Sequence, residues 1–147
     1  MSNPERHPAE VVCGDDGAGP VSAVVLPASL NQVQVTDTRG GTFGWSLTAT
    51  LPNLTAPGGL SISNANVTAT PSCVADAGNP LSAPGATAGT AAQAFSGTVN
   101  LCTKNNLTNA TTGSSGGVFN VNSSLALTIP AFQAAGAYSS IMMITLS

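Results

Sequence analysis

Between Val33 and Leu51 the chain reads VQVTDTRGGTFGWSLTATL, and apolar side chains recur at every second position on both sides of a glycine pair. Val33 and Val35 alternate with Gln34 and Thr36. Beyond Gly40 and Gly41, Phe43, Trp45, Leu47, Ala49 and Leu51 alternate with Gly44, Ser46, Thr48 and Thr50. A period of two sends successive side chains to opposite faces of an extended backbone, so each run is predicted to be a strand with one face in a core. The glycines between the runs predict a hairpin turn.

The same period returns along most of the chain. Leu60 and Ile62 alternate with Ser61 and Ser63, after which the phase flips at Asn64 and Ala65, Val67 and Ala69 become the apolar set. A slip of one residue is what a bulge or a strand changing sheets requires. Phe95, Gly97, Val99 and Leu101 share one parity, as do Phe119, Val121, Ser123, Leu125, Leu127 and Ile129 before Pro130 stops the run. Val21 to Leu26, closed by Pro27, predicts a short first strand at a sheet edge.

The Gly-, Pro- and Ala-rich segment from Pro71 to Ala94 is predicted to be a surface loop with at most one short element, and the polar segment from Thr103 to Gly117 a second loop. The last segment is different, because Ile141 and Met143 make apolar the face opposite Tyr138, Met142, Ile144 and Leu146. A strand apolar on both faces is expected to lie centrally under cover or to meet a partner. No stretch has a useful 3.6-residue period. The expected fold is therefore all-β, a two-sheet antiparallel Greek-key β-sandwich of about seven to nine strands. It spans residues 21–147, with residues 1–20 as a flexible polar tail.

Charge narrows the function. Charged residues make up only 6% of the chain, against about 25% in ordinary soluble domains. Hydroxyl and amide side chains take their place, a habit of extracellular β-proteins. Glu5, Glu10, Asp15 and Asp16 with Arg6 supply the whole net charge of −3, and Asp37, Asp76, Arg39 and Lys104 cancel. Two basic residues beyond the tail cannot displace counterions from nucleic acid, so that class of partner is excluded. No apolar run approaches the ~20 residues that span a bilayer. The first residues carry no secretory leader pattern, so the chain is expected to be a piece of a longer secreted protein.

Catalysis fails on inventory. The one histidine, His7, lies in the tail, so no Ser or Cys nucleophile has an imidazole base. Paired-carboxylate chemistry needs two acids in one cleft and the body holds only Asp37 and Asp76, while Cys73 and Cys102 stand too far apart in sequence for a zinc finger or ribbon, so neither metal nor cofactor is expected. Gly14-Asp15-Asp16-Gly17 lacks a calcium-loop pattern and reads as a solvated turn. Cys73 and Cys102 flank the Gly- and Ala-rich stretch and are candidates for a disulfide; the alternative is free thiols, two of them buried. Asn-x-Ser/Thr triplets at Asn53, Asn66, Asn106, Asn109 and Asn122 are no more than so rich an Asn, Ser and Thr content supplies by chance.

The string Val35-Thr36-Asp37-Thr38-Arg39-Gly40, followed by Gly44-Trp45-Ser46-Leu47-Thr48-Ala49, resembles the first signature of the WxL domain, a surface module of Gram-positive bacteria. Tyr138, leading into Ile144-Thr145-Leu146-Ser147, resembles the C-terminal signature, with Ile144 where the second tryptophan would stand. The resemblance runs from about residue 24 to the end. It implies an extracellular domain at the cell surface that attaches to the wall through non-covalent contact with peptidoglycan or another wall polysaccharide, without catalysis.

Trp45, Leu47, Asp37, Arg39 and Tyr138 are the candidate residues, each with two roles open. Trp45 is either a core anchor, as its alternation suggests, or a platform for a sugar ring. Asp37 and Arg39 either pin the turn as an ion pair or contact a ligand. The alternative function is a structural subunit of a filament, pilus or surface layer, its partners being neighbouring surface-protein subunits joined by strand addition.

Overall fold

In a computed structural model, residues 20–39, 43–78, 86–105 and 116–147 are described. The tail with His7 and Cys13, the Gly14–Gly17 run, the Gly40-Gly41 pair and the triplets at Asn106 and Asn109 lie outside them. Among the described residues ten strands form: β1 (Val24–Asp37), β2 (Trp45–Thr50), β3 (Leu54–Ala56), β4 (Leu60–Ile62), β5 (Val67–Ala75), β6 (Ala86–Ala88), β7 (Gln93–Ala94), β8 (Val99–Lys104), β9 (Gly117–Ile129) and β10 (Met143–Leu146). They make one antiparallel sheet in the order β1-β9-β5-β7, a second in the order β10-β2-β8-β6, and a small β3-β4 hairpin. The all-β sandwich expected from the alternation is the fold observed.

Apart from the hairpin, each strand lies in the other sheet from the strand before it. This corrects the reading of Val33–Leu51 as a hairpin. β1 pairs with β9, whereas β2 pairs with β8 and β10, so the glycine segment is a crossing between sheets. Alternation specifies a strand and its inward face but is silent about which sheet receives it. The phase flip at Asn64 is a strand change, because a 3₁₀ turn at Asn64–Asn66 carries the chain from β4 into β5. Ser63 caps that turn, its hydroxyl accepting from the Ala65 N–H.

Two prolines expected to stop strands do not. β1 runs through Pro27, which is tolerated because β1 is an edge strand paired only to β9. β5 runs through Pro71 to Ala75; β7 pairs Thr68 and Ala69, and among the described residues no strand pairs the other side of β5 at Pro71. Of the two places expected for the last strand, central under cover or against a partner, β10 does not take the first. It is an edge of its sheet, with Ile144 turned to the core and Ile141, Met143 and Leu146 exposed.

The core lies between the sheets. Val35, Trp45, Leu47, Ala49, Ala69, Val99, Leu101, Phe119 and Val121 are all buried there. Cys73 of β5 and Cys102 of β8 form a disulfide, Cα to Cα 5.8 Å, that ties one sheet to the other. A register shift in β8 opposite Leu47 and Thr48 makes this possible, since Leu47 faces Cys102 while Thr48 faces Asn100. The extra residue, Leu101, lets both Leu101 and Cys102 be buried and turns Lys104 inward.

Candidate functional site

One end of the sandwich gathers most of the residues singled out in the sequence. Trp45 opens β2 and is only 5% exposed, its indole edge-on to Phe119 of β9 at 5.3 Å between centroids. The ring lies inside the domain, packed on the first sheet. Its Nε1 has no hydrogen-bond partner among the described residues. Phe43, two residues earlier and expected on the inward face, is instead 68% exposed, because it precedes β2 on the crossing from the other sheet. Leu47 is buried between Cys102 and Leu146, its partners on the flanking strands.

Asp37 closes β1 with its carboxylate buried, and Arg39 turns back over it. The Arg39 Nε donates to Asp37 Oδ1 at 2.9 Å and Nη2 donates to Oδ2 at 3.2 Å, while the Arg39 backbone N–H donates to Oδ1 at 3.0 Å. Nη2 also donates to the Gly44 carbonyl at 3.2 Å, so the fork spans the crossing to the residue before Trp45. These bonds hold the Asp37 carboxyl below its ordinary range: hydrogen bonds from the Arg39 side chain act most strongly, burial opposes them, and the charges of Arg39 and Lys104 add to the lowering. Gly116 passes so close that an added Cβ would lie 2.7 Å from the Asp37 carbonyl oxygen.

Lys104 is a residue that alternation alone does not single out. It is 1% exposed, with Nζ 5.8 Å from the centre of the Phe119 ring, a cation over an aromatic face. Its parity in a strict alternation from Val99 would have been outward; the β8 shift reverses it. Tyr138 lies just before β10 in the chain and is wholly buried. Its hydroxyl donates to the Ala134 carbonyl at 2.7 Å and accepts from Gln133 Nε2 at 2.7 Å. Asp37, Arg39 and Trp45 are thus brought together, Asp37 and Trp45 buried and the Arg39 side chain about half exposed, at 54%.

A different surface has the makings of a binding site. Between Leu30 and Val33 the β1-β9 register shifts, so Asn31 and Gln32 together oppose the single residue Asn122. Beside this bulge, on the outer face of the first sheet, lies a depression of about 370 Å³ lined by Ser29, Asn31, Gln32, Thr70, Ser72, Asn122 and Ser124, with the flanking Leu30 and Ser123. Its polar side chains carry hydroxyls and amides and no charge. Among the described residues there is no group of three or more His, Cys, Asp or Glu able to hold a metal, and no helix is long and apolar enough to cross a membrane.

Comparison with curated proteins and with solved structures gives no match. A family model does match, that of the WxL domain, described as surface cell wall-binding, over residues 24–147. That span takes in both sheets, the Asp37–Trp45 crossing and the buried Tyr138, and it places the chain at the extracellular surface with the cell wall as its partner. The chain belongs to the WxL domain family.

Proposed function

We propose that this domain attaches to the wall by non-covalent contact with peptidoglycan and catalyses no reaction. The observation that carries this reading is the chemistry of the accessible surface. The buried carboxylate of Asp37 is held by Arg39 at one end of the sandwich, away from the outer face of the first sheet. What faces outward from the first sheet is a field of neutral donors and acceptors, suited to gripping a polymer and unable to cleave one. The test is sedimentation of the folded domain with purified peptidoglycan, followed by assay of the supernatant. Saturable pelleting without release of sugar or peptide fragments is expected. Failure to pellet overturns wall attachment, and released fragments overturn the absence of catalysis.

A second reading, assembly by strand addition into a filament or surface layer, is favoured by the two edges β1 and β10. The first sheet ends in a fourteen-residue strand, and the second in a short one whose Ile141, Met143 and Leu146 are exposed. Unpaired strand edges with apolar side chains are templates for another chain. Sedimentation velocity without any wall material tests this. Polymers that grow with concentration and dissolve on deletion of residues 1–27 would support assembly, while a monomer at all concentrations would overturn it.

A further inference from the structure

We infer that the depression beside the β1 bulge is the subsite that seats the wall polymer, and that it selects an uncharged glycan chain over the phosphate-bearing polymers of a wall; this rests on the wall-binding reading above. Register places the groups. Ser29, Ser124 and Thr70 form one rung across β1, β9 and β5, so three hydroxyls stand side by side at the strand spacing of roughly 4.8 Å. Asn122 stands on the next outward rung, opposite Asn31 and Gln32 at the bulge. The extra residue in β1 bends the edge and opens the hollow. Its volume of about 370 Å³ lies within the roughly 300–1,000 Å³ usual for small-ligand sites.

These side chains are also free to act, which sets them apart from many other polar residues of the domain. Asn53 and Asn64 tie the start of β5 to the β2 end, Gln93 holds the Asn100 backbone, Gln133 holds Tyr138, and Ser140 donates to the Pro52 carbonyl. The side chains of Ser29, Asn31, Gln32, Thr70, Asn122 and Ser124 make no hydrogen bond to any described residue. A carboxamide offers two donors and an acceptor, and a hydroxyl offers one donor and two acceptors, which matches the hydroxyl and N-acetyl groups of an amino-sugar chain. Polyanions need the opposite equipment. The whole chain has three basic residues; none lines the hollow, and Arg39 is engaged by Asp37. Nothing there would compensate the desolvation of phosphate.

The experiment titrates the full chain with two probes, a soluble N-acetylglucosamine oligosaccharide and a poly(glycerol phosphate), alongside pelleting on purified peptidoglycan. Wild type is expected to bind the oligosaccharide with an affinity that high salt leaves unchanged, and to ignore the phosphate polymer. Asn122→Ala with Ser124→Ala, which removes two hydrogen-bonding side chains from the exposed sheet face, is expected to weaken oligosaccharide binding about tenfold or more with its melting temperature nearly unchanged. Thr70→Trp, which fills the hollow from β5, is an independent variant expected to do the same should the first fail to fold. Unchanged binding in folded variants, or a salt-sensitive grip on the phosphate polymer, overturns the subsite while leaving wall attachment standing if wild type still pellets. Pelleting without oligosaccharide binding overturns the glycan assignment. A wild type that does not pellet overturns both readings together.

Discussion

Replacing Trp45 tests whether its indole is a structural element joining the two sheets. Trp45→Ala empties a site that is 5% exposed and removes the edge-on partner of Phe119. Such a deletion costs about 3 to 5 kcal/mol, cavity included, a large share of the roughly 5 to 15 kcal/mol that holds a domain folded. Trp45→Phe is a sharper perturbation. It forfeits about 1 to 2 kcal/mol of apolar burial. It also removes a buried N–H that has no partner among the described residues, and relief of such an orphan is worth about 1 to 3 kcal/mol. The two terms oppose each other, so Trp45→Phe is expected within about 1 kcal/mol of wild type while Trp45→Ala falls far below it.

Denaturant titration followed by circular dichroism measures both variants. Because the chain has one tryptophan, the wild-type emission reports this position alone and should shift to the red on unfolding. An alanine variant as stable as wild type but unable to pellet with wall, or a native emission already that of a hydrated indole, would refute the core assignment.

Three further outcomes follow from the same packing. Joint replacement of Cys73 and Cys102 by alanine opens a link across 29 residues of chain and is expected to lower stability by about 3 to 4 kcal/mol on the chain-entropy account, read as the shift in denaturation midpoint relative to the oxidised wild type; no shift would contradict it. Asp37 has its folded-state carboxyl lowered, chiefly by hydrogen bonds from Arg39, so its stabilisation is complete above the unfolded aspartate value of about 3.9 and disappears as pH falls through the lower folded value. Asp37→Asn should therefore flatten the acid limb of a melting-temperature profile, and an unchanged limb would contradict this. Tyr138→Phe strips two buried hydrogen bonds, one to the Ala134 carbonyl and one from Gln133, and should cost about 1 to 2 kcal/mol by the same denaturation assay.

Local pattern was legible and long-range partnership was not. The parity of Phe119 through Ile129 gives all of β9 but its first two residues, and the parity of Trp45, Leu47 and Ala49 gives their burial, because a period of two depends only on neighbours in sequence. Nothing local tells Val35 to pair with Phe119 or sends Trp45 to the other sheet. Pro27 and Pro71 looked like stops because the tolerance of a strand for proline depends on whether a partner lies on its N–H side, a fact about the assembled sheet. The inward turn of Lys104 follows from one extra residue in β8, visible only against the register of β2.

The family signatures around Asp37, Trp45 and Tyr138 pointed to the right kind of protein, yet the structure uses those residues to build the domain. The hollow beside the bulge was hidden for the opposite reason. Ser29, Asn31, Asn122 and Thr70 are ordinary members of a chain full of such residues, and only the β1-β9-β5 register collects them. A polar residue can be read as uncommitted only once every internal partner is known.

The most direct measurement is a backbone-amide NMR titration of the labelled domain with soluble peptidoglycan fragments. The account requires shifts concentrated at Ser29–Gln32, Thr70–Ser72 and Asn122–Ser124, with Trp45 and Tyr138 unmoved. Shifts centred on the Asp37–Trp45 end or on the β10 edge, or no shifts at all, would contradict it.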